Sequence, residues 1–334
     1  MFFKNKKILV IGGTGTIGSN IVKHLLKEEP EVIRIFSRDE YKQFKLKNEL
    51  SNDKRLRFLI GDIRNYERVL SAMEDIDYVF HTAAMKHVEF CEYNPFEAVL
   101  TNVIGTYNVI SAAKNQHVKK VVFTSTDKAI SPTNNYGATK LTAEKLISSA
   151  EYSKGSKNTI FSSVRFGNVI GSRGSVIPLF VNQIKEKNFV TVTDLSMTRF
   201  MMTLEQATKL TIESLKIAQG GETFILKMPV INLKDLAETV IEETSIKYGI
   251  EPTNIKITEI GLKPGEKKYE ELMTYEESLI SFELPDLYII PSFFSPKRSY
   301  DGANKTKPGT YSSDGEIPLT KDQVRKIILQ EKLI

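Results

Sequence analysis

Lys7-Ile8-Leu9-Val10-Ile11-Gly12-Gly13-Thr14-Gly15-Thr16-Ile17-Gly18 decides how the first half of this 334-residue chain is read. The apolar run from Ile8 to Ile11 has the pattern of a strand buried on both faces. Glycines follow at once, and then a helical pattern over 17–27 with Ile21, Leu25 and Leu26 on one face. In that order, strand, turn and helix bring backbone N–H groups to the positive end of a helix dipole, where a pyrophosphate is favoured. A tight turn with no ligand has the same local sequence, so the wider context must discriminate.

Outward from this unit the alternation continues. Apolar runs at 32–36, 56–60, 78–80, 120–124 and 161–166 read as strands, with a helix over 98–115. Strands separated by helices require crossover connections, so the expected fold class is α/β, a Rossmann-type doubly wound parallel sheet. The second half changes character: glycine-containing loops, a short strand at 189–192, and helices at 205–218 and 233–248. It predicts a smaller C-terminal substrate-binding lobe. Expected boundaries are 1–166 for the dinucleotide-binding domain, with segments near 189–226 returning to it, 167–285 for most of the lobe, and 286–334 for an extended arm ending in a helix at 320–330.

Composition narrows the function classes. Cys91 is the only cysteine and the four histidines are scattered, so neither an intrachain disulfide nor a zinc-ligand spacing is available, and no metal site is expected. The N-terminus lacks the apolar stretch of a signal peptide, and no run of about eighteen apolar residues exists to span a membrane. A cytoplasmic protein is expected. The net charge of +5 comes from lysines interspersed with Asp and Glu on helical patterns, which reads as solvated faces and not as a nucleic-acid surface.

Two stretches carry the chemistry: Thr124-Ser125-Thr126-Asp127-Lys128-Ala129 and Tyr136-Gly137-Ala138-Thr139-Lys140. Four-residue spacing puts Tyr136 and Lys140 on one helical face. A free phenol with a pKa near ~10 is a poor base, and a nearby ammonium lowers it. That pair alone points to hydride chemistry on a nicotinamide. Asp127 and Lys128, directly after the hydroxyl of Thr126, add the acid and amine needed to expel water from a sugar that is transiently a ketone. An exposed turn with a cap and a solvated amine is the bland reading of the same pair. At the end of the second strand, Ser37-Arg38 stands where an NAD enzyme places a carboxylate, which favours NADP, with NAD as the alternative and a plain surface arginine as the other reading of Arg38.

The chain resembles the extended short-chain dehydrogenase/reductases and, within them, the nucleotide-sugar 4,6-dehydratases of surface-glycan pathways. The resemblance rests on Gly12-x-x-Gly15-x-x-Gly18, His81-Thr82-Ala83-Ala84-Met85-Lys86-His87-Val88, Thr101-Asn102-Val103-Ile104-Gly105-Thr106, Thr126-Asp127-Lys128, Tyr136-x-x-x-Lys140, Arg165-Phe166-Gly167-Asn168-Val169, Met197-Thr198-Arg199-Phe200 and Pro264-Gly265-Glu266-Lys267. It implies that Tyr136 accepts the proton of the sugar 4-hydroxyl beside Thr126 and Lys140, that Lys128 removes the carbon-5 proton, and that Asp127 protonates the departing 6-hydroxyl. It further implies that Gly12, Thr14, Gly15, Thr16, Ile17, Asp62, Ile63, Ala83 and Ala84 line the cofactor. The substrate side would be Lys86, with Asn168, Arg173 and Arg199 at the diphosphate, Val176, Pro178, Thr191 and Thr193 around the base, and Glu266 on a ribose hydroxyl. Asn168 and Glu266 also read as loop caps. Lys263 departs from the arginine usual before Pro-Gly-Glu and loses its bidentate fork.

The expected activity is removal of water from a UDP-N-acetylhexosamine, with UDP-N-acetylglucosamine as the leading substrate. A nucleotide-sugar 4-epimerase is the runner-up, since it needs the Tyr, Lys and hydroxyl but not Asp127-Lys128. A non-catalytic cofactor-binding sensor is the distant alternative. A homo-oligomer is expected by analogy.

Overall fold

The computed structural model describes residues 1–172, 174–293 and 298–334. Six strands follow the apolar runs of the first half: β1 (Lys7–Ile11), β2 (Val32–Ser37), β3 (Leu56–Ile60), β4 (Tyr78–His81), β5 (Lys120–Thr124) and β6 (Ile160–Arg165). They pair in parallel in the order β6-β5-β4-β1-β2-β3. Residues 8–11 of β1 are wholly inaccessible, as a central parallel strand covered on both faces requires. One apolar cluster around Ile8, Val10, Phe80 and Phe224 covers one face of the sheet, and another around Leu9, Ile11, Val79 and Phe123 covers the other.

The strand order reverses between β1 and β4. A crevice therefore opens at the carboxyl ends of the strands, where the chain leaves β1 into Gly12, β2 into Arg38, β4 into Thr82 and β5 into Ser125. Gly12–Gly18, Ser37-Arg38, Thr82–Ala84 and Thr126–Lys128 lie at or directly after those ends.

Beyond β6 the sheet grows to ten strands. Thr223–Leu226 adds in parallel beside β6, and Leu287–Ile290 then runs antiparallel beside it. The part of 189–226 that returns is the helix Leu204–Ile217, packed on the helix Thr16–Leu26, together with Thr223–Leu226. Phe189–Val192 stays in the lobe, paired with Lys256–Glu259. The segment from 286, expected as an extended arm, begins with a sheet strand, because Leu287 and Ile289 are buried against the core. The lobe has its own apolar centre, with Ile177, Phe180, Val190, Leu236 and Val240 joined by Val324 and Ile328 of the final helix, Lys321–Gln330.

Two local departures have physical causes. The helix Glu40–Glu49 lacks an apolar stripe; only Gln43 and Leu46 are buried, and Asp39 caps it. The helix expected at 98–115 is interrupted by a π-helical turn at Val99–Ile104 before Gly105–Asn115. That turn places Asn102 inward. Its amide accepts from the N–H of Met85 at 2.8 Å and donates to the Met85 carbonyl at 3.0 Å and to Thr139 Oγ1 at 3.0 Å.

Candidate active site

The cleft at the sheet's carboxyl edge has a volume of about 920 Å³, enough for a dinucleotide beside a second ligand. Its dinucleotide end begins at Gly12, whose φ of +78° and whose approach to the next strand both demand glycine; a Cβ there would lie 2.7 Å from the Ala83 amide nitrogen. Gly15, at the N-cap of the helix Thr16–Leu26, brings no side chain to cap it, so the first-turn amides are left for a ligand. Two buried hydroxyls lining the cleft, Ser125 Oγ and Thr101 Oγ1, have no hydrogen-bond partner among the described residues. A nicotinamide dinucleotide fits these observations: amides for its pyrophosphate and unused hydroxyls for its ribose and carboxamide.

Thr14, Thr16, Ile17, Ser37, Arg38, Asp62, Ile63, Ala83 and Ala84 line the same cleft. Arg38 lies 3.5 Å from Asp62, whose carboxylate also accepts from Arg64. Asp39, the neighbouring carboxylate, is engaged as the cap of Glu40–Glu49 and paired with Lys42. Lys42, which sequence reasoning missed, joins Arg38 on the wall.

The reacting end is built by three elements that meet behind β5. A short 3₁₀ turn, Asp127–Ala129, follows β5 directly, and the helix Asn135–Ser153 packs on it. Gly137 makes that packing possible, since a Cβ would overlap the Lys128 carbonyl oxygen. Asn134 caps the helix through Gly137 N–H at 2.8 Å and also donates to the Gly265 carbonyl at 3.0 Å, tying the Pro264-Gly265-Glu266 loop to it.

Within this frame Thr126 Oγ1 donates to Asp127 Oδ1 at 2.8 Å, and Lys128 Nζ donates to Asp127 Oδ2 at 2.9 Å. The Thr126 side chain lies close enough to the Tyr136 hydroxyl to favour its ionisation. A second carboxylate completes the cluster. Glu270, buried, stands 3.5 Å from Lys128 Nζ through Oε1; Asn168 Nδ2 donates to both its oxygens at 3.0 Å, and its Oε2 also accepts from the Phe200 N–H at 3.1 Å. Arg199 Nε approaches its Oε1 at 3.5 Å.

Burial works against every charge here, and the neighbours decide the outcome. It pushes Tyr136 up to about 12, even though Lys128 and the Thr126 side chain pull the other way. Burial likewise opposes ionisation of Asp127, but Lys128 and Thr126 keep it below its ordinary value. Lys128 is held above the ordinary lysine value, since Asp127 and Glu270 outweigh the desolvation. A base at carbon 5 must be neutral to act; with two carboxylates facing it, this amine rests as the ammonium. Lys140 lies behind the site, donating to the Thr124 carbonyl at 2.6 Å over the Phe123 ring, and burial lowers it to about 7. The cation that most favours the Tyr136 phenolate here is therefore Lys128.

On the substrate side Lys86, Asn168, Val176, Thr193, Arg199 and Glu266 line the cleft. Three expected residues do not. Pro178 points outward from the helix Val176–Lys187, Thr191 is held by both ends of the Gln183 amide, and Lys263 is exposed, its N–H donating to Glu266. Arg173 lies outside the described residues. His87, also missed, lines the cleft beside Gly174. Among the described residues no cluster could hold a metal ion, and no helix is long and apolar enough to cross a membrane.

Residues 8–292 match the family described as polysaccharide biosynthesis protein. The chain belongs to that family. The UDP-N-acetylglucosamine 4,6-dehydratase (inverting) of Campylobacter jejuni is 41% identical over 93% of both chains. A family relative from Rickettsia rickettsii, a UDP-glucose 4-epimerase, is 42% identical over 86% of this chain and 84% of its own. The X-ray structure of Pen from Bacillus thuringiensis superposes with a TM-score of 0.95 at 66% identity over the whole of both chains. At 21% identity and a TM-score of 0.69, the dTDP-glucose 4,6-dehydratase DesIV from Streptomyces venezuelae, solved with NAD, shares the fold over 78% of this chain and 86% of its own. The resemblance drawn from the motifs is thus borne out.

Proposed function

We propose that this polysaccharide biosynthesis family member is a nucleotide-sugar 4,6-dehydratase acting on UDP-N-acetylglucosamine. One observation carries the choice over a 4-epimerase: the Asp127–Lys128 pair at 2.9 Å, its carboxylate buried and accepting from Thr126, beside Tyr136. Epimerisation has no use for a second acid and base beside the tyrosine. The dehydratase and epimerase relatives both support a nucleotide-sugar substrate.

Bound nicotinamide supplies the hydride acceptor at carbon 4 and the donor at carbon 6. The protons are the protein's task. Tyr136 takes the 4-hydroxyl proton as its own passes through Thr126 to Asp127, so a phenol with a raised pKa still serves as base by relay. With carbon 4 a ketone, the carbon-5 proton becomes acidic and Lys128, once neutral, removes it. Asp127 then gives its newly gained proton to the 6-oxygen, which leaves as water. In net count, the proton lost by oxygen 4 is thus matched by the one that leaves in the water, and Asp127 returns to carboxylate. Incubation with UDP-N-acetylglucosamine is expected to yield a 4-keto-6-deoxy sugar by NMR; UDP-N-acetylgalactosamine as the sole product would overturn the reading.

NADP is the proposed cofactor. Arg38 and Lys42 line the adenosine end, and Asp39 is occupied as a helix cap. Hydrogen bonds to a charged phosphate contribute about 1.5–3 kcal/mol, so Arg38→Ala is expected to weaken NADP roughly 10- to 100-fold while changing NAD little. Titration calorimetry with both dinucleotides checks this; equal losses for the two would show that Arg38 does not read the 2′-phosphate.

A further inference from the structure

Resting on the dehydratase reading, the proton cycle above leaves one requirement open. Lys128 sits as an ammonium between two carboxylates and must shed a proton before it can take one from carbon 5. Asp127 is not available for this, because it receives the oxygen-4 proton and must deliver it to oxygen 6.

We propose that Glu270 is the group that makes Lys128 a base, accepting its extra proton through Oε1 for the duration of the elimination and returning it at the end. The arrangement is specific to that task. Asn168 Nδ2 donates to both Glu270 oxygens at 3.0 Å and the Phe200 N–H to Oε2, which fixes the carboxylate with Oε1 facing Lys128 Nζ. The backbone around it is pinned as well: the Glu270 N–H donates to Ser313 Oγ, and the Ser313 N–H to the Glu270 carbonyl. The charged groups facing the carboxyl are Asp127 and Lys128 from the turn after β5 and Arg199 from the strand Thr198–Met202. Burial first, and then the Asp127 charge, raise Glu270 to about 7, making it a far better proton acceptor than an ordinary glutamate.

The balance closes. After the relay has protonated Asp127, Lys128 keeps one anionic neighbour in a site of low dielectric, where the neutral amine–carboxylic acid pair competes with the ion pair. Transfer of one proton from Nζ to Oε1 gives neutral Lys128 and protonated Glu270. The amine lone pair takes the carbon-5 proton, the carbon–hydrogen electrons form the carbon–carbon double bond, and the carbon–oxygen bond at carbon 6 breaks as Asp127 protonates the oxygen. When hydride arrives at carbon 6, the Lys128 ammonium reprotonates carbon 5. Glu270 then gives its proton back to the amine, and every side chain is as it began.

Glu270 touches neither sugar nor cofactor in this scheme and is a positioning residue acting through Lys128. The test uses whole enzyme with bound cofactor and UDP-N-acetylglucosamine in D₂O, following cofactor reduction at about 340 nm in a single turnover and deuterium at carbon 5 by NMR. Glu270→Gln, nearly isosteric and unable to accept the proton, is expected to lower dehydration and carbon-5 exchange by at least ~100-fold while cofactor reduction falls by less than ~10-fold. Glu270→Asp is expected to recover part of the loss. In the wild type, dehydration should fall as pH drops through about 7, where Glu270 becomes protonated, and this limb should vanish in Glu270→Gln. Dehydration at wild-type rate in Glu270→Gln, an unchanged acid limb, or equal loss of reduction and exchange would each overturn the proposal. A wild type that forms no 4-keto-6-deoxy product would instead sink the dehydratase reading on which it rests.

Discussion

Asp127→Asn is expected to abolish both half-reactions, cofactor reduction as well as loss of water, each by about 10²- to 10⁴-fold. The reason is the double duty set by its position. Its Oδ1 accepts from Thr126, the intermediary of the proposed relay from Tyr136, and its Oδ2 faces Lys128. An amide in the same place can neither take the proton arriving from oxygen 4 nor supply one to oxygen 6. Single-turnover absorbance and product NMR separate the two steps. Normal cofactor reduction in the variant would show that Tyr136 releases its proton elsewhere, and that the relay through Thr126 is wrong. The contrast with Glu270→Gln is informative, because that variant should spare the first step and lose the second.

Arg165→Met is expected to cost about 3–5 kcal/mol of stability, the usual penalty for leaving buried charge unpaired. Arg165 ends β6 and is 2% exposed. Its guanidinium donates to Glu144 at 3.1 and 2.7 Å, to Glu277 at 2.9 and 3.1 Å, and to the Leu272 carbonyl at 2.8 Å. Removing it strands Glu144, which is itself buried. A urea melt should show a lower midpoint with unchanged slope. Replacing Glu144 and Glu277 by apolar residues as well should recover much of the loss, because the attraction in such a cluster is largely offset by desolvation. If the triple variant is no more stable than Arg165→Met, the loss is one of packing and not of unpaired charge. Arg165 also joins the helix carrying Tyr136 to the segment that follows Glu270, so loosening it should degrade the alignment of both.

Much of this architecture was legible in the chain. The apolar runs of β1 to β6 and the chemical residue types at 126–140 report burial and reactivity locally, and the structure gathers those side chains at one strand edge. Glu270 was not legible. It lies in Lys267-Lys268-Tyr269-Glu270-Glu271, a stretch that reads as solvated charge. The one signal was its two-residue spacing from Leu272, which puts both on the inward face of an extended segment. Placing Lys128 between two carboxylates needed the third dimension, since Glu270 arrives from 142 residues away. Thr191 and Pro178 fall off the cleft wall for the complementary reason: strand and helix phase decide which way a side chain points, and a motif-based assignment carries no phase. The helix Glu40–Glu49 escaped notice because it packs by a glutamine and one leucine, without an amphipathic stripe.

The wide turn at Val99–Ile104 amounts to one supernumerary residue in an otherwise regular rod running from Pro95 to Asn115. Each residue advances such a rod by roughly 100°. Excising one residue here would restore ordinary pitch and swing Asn102 off Met85 and Thr139, uncoupling the loop after β4 from the helix that bears the tyrosine. Indels in this stretch are therefore constrained by angular phase, a restriction that substitution tolerance at its individual positions would not reveal.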